Sequence, residues 1–198
     1  LFLPLFSFFA VKDISIFSRE KQSEKEKKKF SSVKSWNRKE VLNDFKFYTM
    51  LPALLAPAFI ITGLVINQSF IIESKDWGEY AIAKAFMSYS VFTVLALFLS
   101  GLLVDKFTSR KMLPILNIPL LISLIILIFS NHANSAFVFM GLLGATNGLT
   151  NVLLSSLWAE IYGVDHLGSI KALTGSLMVF STALATVVFG LLIDLGYS

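Results

Sequence analysis

The 198-residue chain has no cysteine and only two histidines. The first absence excludes a disulfide framework, a thiol nucleophile and a thiolate metal site. His132 and His166 fall in loops expected on opposite faces of a membrane, so they can share neither a metal ion nor a catalytic triad. No glycine-rich phosphate cradle of the P-loop type occurs, which argues against ATP hydrolysis. Charge is sparse, at 15% of residues, and the long apolar stretches carry no acid in their central parts. A membrane-embedded enzyme would need acids, histidines or a nucleophile with its base there. The expectation is therefore no enzyme, no catalytic residue, no metal and no cofactor.

Hydrophobic residues make up 55% of the chain, and the mean hydropathy is +0.72. That is more apolar surface than a soluble domain can hide, so a lipid bilayer is the expected partner. The formal charge of +4 does not point to nucleic acid, because the bases are confined to one segment. Residues 12–46, including "SREKQSEKEKKKFSSVKSWNRKE", hold eleven of the seventeen Lys and Arg against six acids. They read as a polar, loosely structured linker.

Five apolar segments follow, at about 47–72, 80–104, 113–130, 135–158 and 171–193. Each approaches the roughly 20 residues that cross a hydrocarbon core as a helix, and none alternates as a spanning strand would. Basic residues mark the linker, "DKFTSRK" and "EIYGVDHLGSIK", whereas "ESKDWGEY" is net acidic and "SNHANS" has no base. This alternation predicts that the linker and the two basic loops face the cytoplasm. Pro114 suits the first turn of the helix after the second of these loops.

Polar side chains inside the spans should turn away from lipid. In the fourth segment Gly144, Asn147, Gly148, Asn151 and Ser155 fall on one stripe at about 100° per residue. Two readings fit it: close helix packing through small residues, or Asn147 and Asn151 lining a substrate path. In the second segment Tyr89, Thr93, Ala96 and Ser100 share a face, and two readings fit Lys84, close to the outer boundary: attraction of an organic anion, or snorkelling to the surface. Asn67 and Gln68 lie toward the outer end of the first segment, whose Pro52 and Pro57 remove backbone donors. Asn67, Gln68, Tyr89, Thr93, Asn147 and Asn151 are the candidate substrate-path residues. Asp194 reads as a solvated cap at the outer boundary.

Between the second and third segments stands "GLLVDKFTSRKMLP": Gly101, three residues, Asp105, Lys106, then Arg110 and Lys111. This pattern resembles the loop signature of the major facilitator superfamily, in which it recurs between the second and third helices of each half. The long charged linker before it strengthens the likeness. The resemblance implies an all-α membrane fold of which this chain is a part. Residues 1–11 would end a sixth helix, 12–46 form the central cytoplasmic loop, and 47–198 supply five complete spans of the C-terminal half, with the last helix missing.

The same resemblance implies a secondary transporter of a small organic solute, possible anions included, working by alternating access with the N-terminal half as partner. A multi-pass plasma-membrane protein follows, such as one of a bacterial inner membrane. The alternative is a scaffold or receptor that kept the fold without transporting. The family role of the signature is a conformational latch, carried here to Asp105 and Arg110. Thr108 stands where the family usually has glycine, which leaves the tightness of the turn open. "WAEIYGVDHLGSIKAL" and "GLLIDLGYS" are similar to the monocarboxylate-porter and oxalate/formate-antiporter-like branch. The porters' acid and arginine pair has no counterpart at Thr93 and Leu97, so monocarboxylate transport is not carried over.

Overall fold

The computed structural model describes residues 34–196 apart from Glu79. The expected helix end at residues 1–11, and the linker up to residue 33, lie outside the described residues.

The described linker end, Lys34–Asn37, leads into a short helix, α1 (Arg38–Leu42). Asn37 accepts from the Lys39 and Glu40 amides while Glu40 reaches back to the Asn37 N–H, a reciprocal cap that fixes where the polar linker gives way to helix. Three long helices come next: α2 (Phe45–Ile66), shorter than its expected segment, then α4 (Ala81–Lys106) and, after two intervening helices, α7 (Ser135–Tyr162), which follow theirs closely. The last, α8, runs from Leu167 to Asp194. These four, of 22 to 28 residues, are long and apolar enough to cross a membrane. At 1.5 Å per residue they measure about 33–42 Å.

Two expectations change. The first segment does not continue unbroken to residue 72: Asn67 leaves helical geometry, with φ −96° and ψ 25°, and its side chain donates to the Gly63 carbonyl at 2.8 Å. The side chain thus satisfies a carbonyl at the helix end, and a separate short helix, α3 (Gln68–Lys75), begins there. The third segment is not a full span of 113–130. A one-turn helix, α5 (Ser109–Met112), is followed by turns and then α6 (Ile118–Phe129), which has 12 residues and is about 18 Å long. Pro114 and Pro119 each remove an amide that would donate four residues back, so the intervening backbone closes partly through shorter bonds such as Ile118 N–H to Ile115 C=O at 3.1 Å. Pro119, not Pro114, occupies the first turn of α6.

The helix α7 is the centre of the assembly, packed against α4 along its length and touching α2, α5, α6 and α8. Two apolar clusters form around it. Near the signature turn, Phe47, Leu54, Met112, Leu116, Leu153, Leu157, Trp158 and Tyr162 are buried together. At the opposite end Leu64, Ile71, Trp77, Ile82, Leu120, Phe139, Met140 and Leu143 form the second. Large apolar side chains face outward along α4 and α8, among them Phe98, Leu102, Val179 and Phe180. This is the inverse of a water-soluble surface and suits a hydrocarbon environment.

Candidate functional site

The interval between the two apolar clusters is where the polar residues of the spans collect. On α7 one cluster ends at Leu143 and the other begins at Leu153. The residues between include Gly144, Asn147, Gly148 and Asn151. Gly144 and Gly148 allow the backbones of α7 and α4 to touch. A Cβ on Gly144 would stand 2.2 Å from the Tyr89 carbonyl oxygen, and one on Gly148 would stand 2.6 Å from that of Thr93. Across this contact the Thr93 hydroxyl donates to the Tyr89 carbonyl at 2.7 Å and lies 3.1 Å from the Gly144 carbonyl. Further along the same interface Ser88 donates to the Phe137 carbonyl at 2.8 Å.

The glycines of the stripe are therefore packing residues, as the first of the two readings held. The asparagines are arranged differently. Asn147 is half-buried and its side chain faces the Tyr89 hydroxyl across the interface. Asn151 is exposed and donates to the Asn147 carbonyl at 2.9 Å. Tyr89, Thr93, Asn147 and Asn151 thus form one continuous polar seam. Asn67 and Gln68 are not part of it: Asn67 closes α2, and Gln68 borders a small void among Leu64, Ile82, Phe139 and Leu143. The seam offers hydroxyl and carboxamide donors and acceptors with no carboxylate or amine among them. Its chemistry is hydrogen bonding to a polar solute.

The signature turn closes one end of the bundle. Gly101 lies within α4, where an added Cβ would meet nothing. Asp105 and Lys106 form the last turn of α4, and the Lys106 ammonium lies 5.6 Å from the Phe107 ring centre. Thr108 adopts φ −56° and ψ 146°, so the reversal uses no left-handed residue and glycine is not required. Lys111 is exposed.

One acid that joins this turn to another helix is Glu160, near the end of α7 and 7% exposed. Its carboxylate accepts from the Ser109 N–H at 2.8 Å and the Arg110 N–H at 3.3 Å, at the start of α5. The Arg110 guanidinium donates in turn to the Glu160 carbonyl at 2.8 Å, and the Ser109 and Ser156 hydroxyls hydrogen-bond. A carboxylate on free helix amides is a favourable electrostatic arrangement. In the sequence Glu160 reads as the first residue of the basic loop "EIYGVDHLGSIK" and draws no role, whereas it belongs to α7. The available signal was Ser156 and Glu160, four residues apart on the same helix face and just before a basic loop.

The linker end straps this region. Trp36 donates its N–H to the Tyr162 carbonyl at 2.9 Å and packs edge-on against the Tyr162 ring. Gly163, at φ +77°, lies so close beneath Ser35 that a Cβ would reach within 2.7 Å of its hydroxyl. Tyr162 donates to the Asp44 carboxylate at 3.1 Å. A cavity of about 400 Å³ opens here, away from the polar seam, between Trp36, Asp44, Lys46, Arg110 and Tyr162.

Residues 47–198, more than half of the chain, match the family model described as Major Facilitator Superfamily. Neither a curated protein nor a solved structure matches the chain. The family match, the apolar helices and the signature turn agree on a multi-pass integral membrane protein of a transporter family, not an enzyme family. The chain belongs to the Major Facilitator Superfamily.

Proposed function

We propose that this chain forms the C-terminal half of a secondary transporter that carries a small polar or anionic organic solute by alternating access. The supporting observation is the seam of Tyr89, Thr93, Asn147 and Asn151, placed between two apolar clusters near the middle of α4 and α7. Polar side chains held at that depth cost energy unless they meet protein, water or solute. An N-terminal half facing α4 and α7 would complete a cavity around the seam. The solute is held by hydrogen bonds, and any coupling proton would be carried outside the seam. The linker, the signature turn and the α7–α8 loop face the cytoplasm. There Arg110 and Glu160, with Asp105 nearby, act as a latch that holds one conformation. The similarity to the oxalate/formate-antiporter-like branch favours an organic anion as solute.

The test is uptake of radiolabelled organic anions and neutral polar solutes into proteoliposomes holding the full-length gene product. Saturable uptake of at least one solute is expected, and Asn147→Leu should impair it without lowering the amount of protein in the bilayer. Unchanged uptake kinetics in that variant would overturn the role of the seam.

A further inference from the structure

The proline at position 57 leaves a gap in the hydrogen-bond ladder of α2. In an unbroken helix the Ala53 carbonyl would accept from the amide at position 57, and proline has none. The structure supplies a substitute from elsewhere in the chain: the Asn117 side-chain amide donates to the Ala53 carbonyl at 3.0 Å. Asn117 stands immediately before α6, where the turns that follow the signature end. The contact is embedded, because Leu54 on α2 and Met112 and Leu116 on the turn belong to one buried cluster. The other atom of the same carboxamide, Asn117 Oδ1, is buried and has no partner among the described residues. A flipped amide would set that oxygen against the Ala53 carbonyl, so the amide can hold the gap in only one orientation.

We infer that Asn117 is a positioning residue that replaces the missing Pro57 amide and so ties the proline gap of α2 to the signature turn, making the two shift as a unit. The arrangement has two parts that are useful only together. A proline alone leaves the Ala53 carbonyl without its usual donor in a low-dielectric setting, and an asparagine facing a carbonyl that already has its helical donor would add only a second bond to it. The inference does not depend on which solute is carried, and its test needs none.

The test is a double-variant cycle in the full-length protein, comparing wild type, Asn117→Ala, Pro57→Ala and the pair, read by hydrogen exchange in detergent micelles. In wild type, Asn117→Ala is expected to speed exchange in peptides spanning both Leu51–Ile61 and Leu113–Leu121 by about tenfold, the equilibrium effect of about 1.4 kcal/mol. In the Pro57→Ala background the restored amide satisfies Ala53, and the same substitution should leave the α2 peptide unchanged. A purely local packing role for Asn117 would give equal effects in both backgrounds and would overturn the inference, as would no effect in wild type. If Asn117→Ala fails to accumulate, recovery of expression in the pair supports the inference, and failure of the pair as well overturns it.

Discussion

Gly144 marks the tightest glycine contact between α4 and α7, and a single methyl group there measures how closely the two helices must approach. An alanine Cβ would lie 2.2 Å from the Tyr89 carbonyl oxygen and 2.9 Å from Thr93 Oγ1. The nearer neighbour is backbone within a 26-residue helix, so it cannot swing aside as a side-chain tip would. Reaching an ordinary contact of about 3.4 Å needs the helices to part by about 1.2 Å at that level, which also stretches the 3.1 Å Thr93 bond to the Gly144 carbonyl. Overpacking of this kind costs about 1–3 kcal/mol, or about 2–12 °C in melting temperature for a unit of this size. Gly141 is the control, since an added Cβ there meets the Ser88 hydroxyl at 2.7 Å and the Phe92 ring edge at 3.1 Å, both side-chain atoms that can yield. Thermal unfolding of the purified full-length protein in detergent should therefore rank Gly144→Ala well below wild type and Gly141→Ala between them. A Gly144→Ala protein that melts within a degree of wild type, or less damage there than at Gly141, would refute the packing argument.

Glu160→Gln should keep the Ser109 contact but turn an amide donor toward the Arg110 N–H; a loss of about 1.5–3 kcal/mol is expected for charge-assisted bonds, seen as a lower melting temperature and faster exchange of the α5 amides. Thr108→Gly restores the residue usual in the family, yet φ is already −56°, so no stabilisation is expected; a gain above about 0.5 kcal/mol in thermal unfolding would show that the turn is strained.

The helical architecture was largely legible in the sequence because length and apolar content in a membrane depend on few variables. The signature loop was legible because its charges have a fixed spacing at a span end. What escaped was set by contacts between distant segments. The break at Asn67 rests on a side chain reaching its own Gly63 carbonyl, and the shortening of α6 rests on Pro114 and Pro119 acting together. Glu160 escaped because its value comes from amides 50 residues away in sequence. The six candidate path residues divide for the same reason: four share the α4–α7 interface, while Asn67 and Gln68 belong to the end of α2 and the start of α3. The small-residue stripe mixed two roles, with its glycines serving packing and its asparagines left at the open edge of the contact.

Alternating access through the seam can be tested without knowing the solute, since the chain has no cysteine of its own. With any cysteines elsewhere in the full-length protein replaced, Asn151→Cys can be exposed to a membrane-impermeant maleimide in right-side-out and in inside-out vesicles. The account predicts labelling from both sides, because Asn151 would border a cavity that opens to each in turn. Labelling from one side only, or from neither, would contradict it.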